Sequence, residues 1–140
     1  MLLNVSYNDR EIDARIEAEV GKPFPLRERL SLRGIGSPRL PITSAGIEIH
    51  NLLILDNNLN TCNIEMRPGG IIVRFRSLLE TFALVIPYYK LSLYKGKANE
   101  YGIYRDQYFI KVKADKKVHD FMKKILHHKA DAAPSPPDVP

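Results

Sequence analysis

The chain has little of what marks several specialised protein classes. It holds one cysteine, Cys62, so no disulfide can form within it, and a reducing compartment fits that best. Its longest apolar run, residues 82–86, has the length of a strand and falls far short of the roughly 18–20 residues of a membrane span. Its first residues lack the basic and apolar parts of a signal peptide. These absences predict a cytoplasmic protein.

Charge is present but is not concentrated. The formal net charge of +5 favours encounters with anionic partners without requiring one. Basic and acidic residues are interspersed along the whole sequence, and no polybasic arm is present. The length of 140 residues corresponds to one domain, which can bury roughly two-thirds of its unfolded surface and needs neither a disulfide nor a metal to fold.

The N-terminal segment has the spacing of an amphipathic helix. Ile12, Ile16 and Val20 repeat every four residues. Together with Asn8 as a candidate N-cap, this spacing predicts a helix over residues 9–19.

A segment rich in proline and glycine follows the predicted N-terminal helix, over residues 21–46, and is either a long ordered connection or a linker to the main body. Within it, Leu30 and Leu32 hint at a short strand.

A second helix is predicted near the C-terminus. Asp115 is its candidate cap, and the apolar residues that follow recur every three or four positions. That stripe is Val118, Phe121, Met122, Ile125 and Leu126. The pattern predicts a helix over residues 116–126, and the proline-rich tail, residues 130–140, is too poor in large apolar side chains to bury a core and is predicted to be disordered.

Between the helices the main signal is the two-residue alternation of strands in an antiparallel sheet. It is clearest in a hairpin in which residues 61–66 and 71–76 flank a turn at residues 67–70 (RPGG). The other predicted strands cover residues 46–56, 82–86, 89–94 and 104–114. Residues 82–86 are apolar at every position, so we expect the sheet to be covered on both faces there.

These elements predict a mainly β, α+β fold. An antiparallel curved sheet or small barrel of about six strands is closed by the C-terminal amphipathic helix, and an additional short helix lies at the N-terminus. The predicted organisation is an N-terminal helix and connection over residues 1–45, a barrel with its helix over residues 46–129, and a tail over residues 130–140.

Two short stretches resemble the pleckstrin-homology-like (PH-like) barrel in its small bacterial form. Ile86-Pro87-Tyr88 with Leu91 is similar to the step that opens a strand in such domains. Residues 108–112, Asp115 and the apolar stripe are similar to the last strand and closing helix. The resemblance covers about residues 46–129 and implies a binding or scaffolding domain of seven strands that is not an enzyme. The basic lipid-headgroup motif of many members is not carried over, because residues 56–61 (DNNLNT) contain no cation.

The residues of reactive type have simpler structural interpretations. Cys62 alternates with inward-facing apolar residues, so we expect a buried thiol rather than a nucleophile activated by His50. His119, His127 and His128 lack the spacing of a zinc site and suit the end of a helix. We therefore expect no catalytic residue, no cofactor and no metal.

A set of basic and aromatic residues is the candidate binding surface. Alternation predicts that these side chains point away from the core and could meet a partner or an anion: Arg74, Arg76, Lys90, Tyr94, Arg105, Phe109, Lys111 and Lys113. One hypothesis is a protein partner, or a second copy of the chain, that adds beside an exposed strand. The alternatives are an anionic lipid surface and single-stranded nucleic acid stacked on exposed rings.

Overall fold

The computed structural model describes residues 1–55, 60–97 and 99–132, which form one antiparallel sheet, four α-helices and a 3₁₀ turn. The strands are β1 Leu2–Asn4, β2 Leu40–Ala45, β3 Thr61–Arg67, β4 Gly70–Ser77, β5 Glu80–Pro87, β6 Ser92–Lys95, β7 Glu100–Arg105 and β8 Tyr108–Lys113. The helices are α1 Arg10–Val20, α2 Leu26–Ser31, α3 Ile47–Leu53 and α4 Lys116–Ala132, and the 3₁₀ turn is Tyr88–Lys90.

The eight strands of the described residues lie in the order β1-β5-β4-β3-β2-β8-β7-β6, in a sheet that is curled but not closed. Two meanders, β3–β4–β5 and β6–β7–β8, are joined by β2, which pairs with β3 through Leu40 and Pro41 and then with β8. The register shifts between Ile42 and Ser44, and such a bulge bends a strand. The predicted class, a mainly β fold with a curved antiparallel sheet and helices at both ends, is confirmed.

The strand predicted over residues 46–56 is wrong, because Ile47–Leu53 form helix α3, and residue 56 of that prediction lies outside the described part of the chain. Ile49 and Leu53, four residues apart, are buried in the main core and cover one end of the curled sheet. The segment holds β-branched residues that favour a strand, but its apolar positions also fit a helix, and packing against the core decides between them. The residues just before α3 form a strand, β2. The segment at Leu30, where the sequence hinted at a short strand, is instead helix α2.

Helix α1 is confirmed, with Asp9 rather than Asn8 as its cap. The Asp9 carboxylate accepts hydrogen bonds from the backbone N–H groups of Glu11 and Ile12, at 2.9 and 3.4 Å. The buried face of the helix packs on the outer face of β4 and β5, in a cluster of Ile16, Val20, Ile72, Ala83 and Val85.

The cluster under α1 explains the uninterrupted apolar run of β5. Leu84 and Ile86 alternate with the residues beneath α1 and point into the main core instead. The prediction that this strand is covered on both faces is confirmed.

Helix α4 fills the concave side of the sheet. Its Val118, Phe121, Met122 and Ile125 are buried in the main core, whereas Leu126 is half exposed. Asp115 caps it as predicted, because its carboxylate accepts the Val118 N–H at 3.0 Å. The helix continues to Ala132, and the rest of the predicted disordered tail lies outside the described residues. No helix within residues 1–55, 60–97 and 99–132 is long and apolar enough to cross a membrane.

The strand predicted over residues 89–94 begins later, at Ser92. After Pro87 the chain makes the 3₁₀ turn, in which Tyr88 is buried and donates its hydroxyl to the Arg67 carbonyl at 3.1 Å. Tyr89, the first residue of the predicted strand, is exposed, because the turn breaks the alternation and Tyr88 takes the inward place.

Candidate partner-binding face

Three aromatic rings form a row across the outer face of β6, β7 and β8. Tyr104 stands at its centre, with ring centroids 5.8 Å from Tyr94, edge-on, and 5.4 Å from Phe109, stacked. Each such pair contributes about 0.5–1.5 kcal/mol beyond the area that it buries. We call Tyr94, Tyr104 and Phe109 the aromatic row. Tyr94, at its outer end, is 63% exposed.

Gly102 makes room for the central ring. It lies on the outer face of β7 between Tyr94 and Lys111, which are its partners on the two neighbouring strands. A Cβ atom at this position would stand 2.6 Å from Cε2 of Tyr104, so that ring lies over the glycine. The absent side chain therefore gives the face a low aromatic surface, on which a ligand side chain could pack.

Lysines border the aromatic row. Lys111 is half-buried on β8, and Lys113 is exposed one step further along the same face. Glu100, the strand partner of Lys113, offsets part of this charge. The border is positive overall, so this face favours an anionic partner.

Strand β6 is the edge of the curled sheet. Within the residues that the structure describes it pairs with β7 and with no other strand. The backbone N–H and C=O groups on the other side of an edge strand are a template for pairing with another chain. Tyr94 thus belongs both to the aromatic row and to the open edge.

Four of the predicted binding residues lie together here, namely Tyr94, Phe109, Lys111 and Lys113. Arg74 and Arg76 lie on β4 instead, and β3 and β2 separate that strand from β8 in the sheet. Arg74 is also engaged, because its guanidinium donates to Glu65 at 2.6 Å.

Glu65 receives a second guanidinium, that of Arg67. Burial would raise the pKa of Glu65, but the hydrogen bonds from Arg67 and Arg74 outweigh it and hold the pKa below its usual value. This ion-paired group braces β3 against β4 and is separate from the aromatic row.

Arg105 was expected to face outward, and the structure corrects this. The residue is only 6% exposed and lies where the two ends of the curled sheet approach each other. Its guanidinium donates to Glu19 of α1 at 2.6 Å and to the Val85 carbonyl of β5. Lys90 stands near it, with Nζ 3.9 Å from Asp106. Arg105 therefore ties α1 and β5 to the end of β7.

The thiol of Cys62 is buried in the main core as expected. Burial raises its pKa to about 12. His50, the base considered for it, is exposed on α3 rather than placed on a neighbouring strand. Among the residues described, no three side chains of His, Cys, Asp or Glu are grouped to hold a metal ion.

Because of this burial, we expect Cys62 to resist thiol reagents in the folded protein. A pKa of about 12 leaves almost no thiolate at neutral pH, and the side chain is out of contact with solvent. Labelling with a chromogenic disulfide reagent should be slow in buffer and fast in denaturant. Rapid labelling of the folded protein would contradict the buried position, and since the chain has one cysteine the signal is site-specific.

The centre of the face was not found from the sequence, because the predicted strand begins at residue 104, whereas β7 begins at Glu100 and ends at Arg105. The usable signal was the pair of alternating segments on either side of a turn at Asp106 and Gln107.

Comparison of the chain with protein-family models, with curated proteins and with solved structures finds no match. The functional argument therefore rests on the geometry of this chain.

Proposed function

We propose that the protein is a non-catalytic PH-like interaction module, which binds an extended acidic segment of a protein partner along strand β6. The observation that carries the proposal is the position of Tyr94, which joins the aromatic row to the open edge of the sheet.

The element order supports the PH-like assignment. In the described part of the chain, β2 to β8 make seven strands, the number expected for the family, and α4 follows the last of them directly. Two three-stranded meanders linked into one curled sheet, with a helix on the concave side, agree with a strand meander closed by a helix. Strand β1, which pairs with the edge of β5, and helix α1, which covers the outer face of β4 and β5, are then additions.

An extended peptide is the ligand that suits an edge strand. Its backbone would pair with β6, and its alternate side chains would fall on the two faces of the sheet. Those on the outer face would meet Tyr94, whose ring offers apolar area and few rotamers to restrain. The half-buried Tyr104 behind it keeps that ring in place through their edge contact.

The charge of the border favours acidic residues in that peptide. Lys111 and Lys113 lie on the same outer face as the aromatic row, and Glu100 is the acidic residue beside them. Attraction between exposed charges mainly speeds association and weakens as salt is added. Affinity would then come from the backbone pairing and from Tyr94.

Selection from a displayed library of random peptides tests this proposal. We expect the selected peptides to be acidic and to alternate apolar with polar residues, and we expect Tyr94→Ala to weaken their binding about tenfold. The matched control is Tyr7→Ala, because Tyr7 is a 78% exposed tyrosine on a different part of the chain. That variant should bind like the unaltered protein, as calorimetry would show.

Other results would contradict the proposal in distinguishable ways. Selected peptides that bind equally well to Tyr94→Ala would place the site elsewhere. Steeply salt-dependent binding of single-stranded RNA or DNA, weakened by Arg76→Ala and Lys111→Ala alike, would favour the nucleic-acid alternative. Dimers in solution that dissociate on Tyr94→Ala would mean that a second copy of the chain occupies the edge.

A further inference from the structure

A cleft separates the end of α2 from the exposed face of α4. It encloses about 480 Å³ and is open to solvent. Its lining residues are Ser31, Leu32, Arg33, Asp120, Lys123, Lys124, His127 and His128. We call it the α2–α4 cleft. It lies apart from the aromatic row, whose residues belong to β6, β7 and β8.

Cations outnumber acids in this cleft. Arg33, Lys123 and Lys124 face it together with one carboxylate, that of Asp120. Ion pairs found among the described residues include none of these three cations, whereas His127 lies 3.3 Å from Asp131. Three unneutralised cations around one cavity repel one another, and a bound anion would relieve that repulsion.

One of these cations is held in place without being neutralised. The Nζ atom of Lys124 donates to the Leu32 carbonyl at 2.8 Å, which fixes the α4 wall against the α2 wall. A carbonyl oxygen positions an ammonium group but leaves its charge for another ligand. The geometry therefore holds a positive charge beside Leu32 in the cleft rather than on a free side chain.

Arg33 adopts a backbone conformation that fits glycine better than arginine. Its φ of 59° lies in the left-handed region, which is strained for most side chains. The turn around it is fixed by hydrogen bonds from the Arg33 N–H to the Leu30 carbonyl and from the Gly34 N–H to the Arg29 carbonyl. The fold does not require arginine there, so Arg33 can be replaced by glycine without disturbing the turn.

Part of the cleft lining is less polar than the three cations. Leu32 packs against the main core, and the ring of His128 lies 6.1 Å from that of the buried Phe24. A ligand that fits both parts has an anionic group at one end and an apolar or flat body at the other. The volume lies within the roughly 300–1,000 Å³ of small-molecule sites.

From these observations we infer that the α2–α4 cleft binds a small phosphate ester, with its phosphate at Arg33, Lys123 and Lys124 and its organic part against Leu32. Arginine and lysine are the usual partners of phosphate oxygens. The phosphate could belong to a soluble ester or to a lipid headgroup, and both present the same chemistry to the three cations.

Two probes distinguish the sources, phenyl phosphate in solution and vesicles of phosphatidylcholine with or without phosphatidic acid. We expect saturable binding of phenyl phosphate, tighter than that of inorganic phosphate, or selective binding of the acidic vesicles. Either result supports the inference and identifies the source. The absence of binding to both probes at low salt would overturn it.

Arg33→Gly is the decisive variant, because glycine suits the left-handed backbone and should fold at least as well. It should weaken binding about tenfold, the loss expected for one charge-assisted hydrogen bond. Arg76→Ala, which removes an exposed cation from β4, is the matched control and should change nothing. Equal binding by Arg33→Gly and the unaltered protein would overturn the assignment. Tyr94→Ala should leave this binding intact, so the two proposed sites fail independently.

Discussion

Replacing Gly70 with alanine is expected to cost at least about 3 kcal/mol of the free energy of unfolding, the upper end of what overpacking a core costs. A Cβ atom there would stand 2.2 Å from the Ile86 carbonyl oxygen, 2.6 Å from Cγ1 of Val20 and 2.7 Å from Cα of Pro87. Two of these atoms are backbone of a buried strand, and the third ends helix α1, so none can move aside cheaply.

Denaturant unfolding of matched glycine variants checks this expectation. Gly96→Ala is the control, because its Cβ would meet nothing closer than the Glu100 carbonyl oxygen at 3.5 Å, an ordinary contact. Gly69→Ala should be intermediate, since its Cβ would lie 3.2 Å from backbone atoms of Val20. A Gly70→Ala protein as stable as Gly96→Ala would mean that β5 and the end of α1 do not pack around Gly70 as closely as these distances require.

Replacing Arg105 with methionine is expected to cost about 3 kcal/mol of unfolding free energy, the lower end of the range for breaking a buried ion pair. The change would leave the Glu19 carboxylate without the guanidinium of Arg105, and it would remove one hydrogen bond to the Val85 carbonyl. We take the lower end because Glu19 keeps some contact with solvent. The double variant Arg105→Met with Glu19→Met should recover part of the loss, since it leaves no unpaired carboxylate.

The cost of Arg105→Met should also depend on pH. Burial would raise the pKa of Glu19, but its hydrogen bond to Arg105 and the charge of Arg105 outweigh this and hold the pKa below 4.5. A carboxyl group whose pKa is lowered by folding stabilises the fold above its unfolded pKa, and this stabilisation disappears as pH falls through the folded pKa. The difference in unfolding free energy between the two proteins should therefore shrink as the pH falls below the usual pKa of a glutamate. A difference that stays constant would show that Arg105 acts through packing and its hydrogen bond to Val85, and not through the charge of Glu19.

Local patterns in the sequence were sufficient to predict those elements whose structure is determined by neighbouring residues in the chain. The β3–β4 hairpin follows from alternation around a Pro-Gly turn, and α1 and α4 follow from their apolar spacing and acidic caps. Helix α3 could not be predicted, because its apolar positions fit the periodicity of a helix and that of a strand. Contact with core residues distant in sequence decides between helix and strand.

The candidate face was predictable only as far as alternation held. The two-residue alternation correctly placed Tyr94, Lys90 and Ser92 on the side away from the core. It also correctly placed Phe109 on the same face as Lys111. It misplaced Arg105, because residues 104–114 were taken as one strand although a turn at Asp106 and Gln107 reverses the chain. Across a hairpin, paired residues share a face, so Arg105 points inward with Tyr108 whereas Tyr104 points outward with Phe109.

Amide hydrogen exchange of the protein with a selected acidic peptide tests the central proposal most directly. The proposal predicts that backbone amides within Ser92–Lys95 exchange more slowly when the peptide is bound, since a new strand pairs with β6. Resonances of Tyr94, Tyr104 and Lys111 should shift in the same titration. Slower exchange confined to β4 or to the α2–α4 cleft, with β6 unchanged, would contradict it.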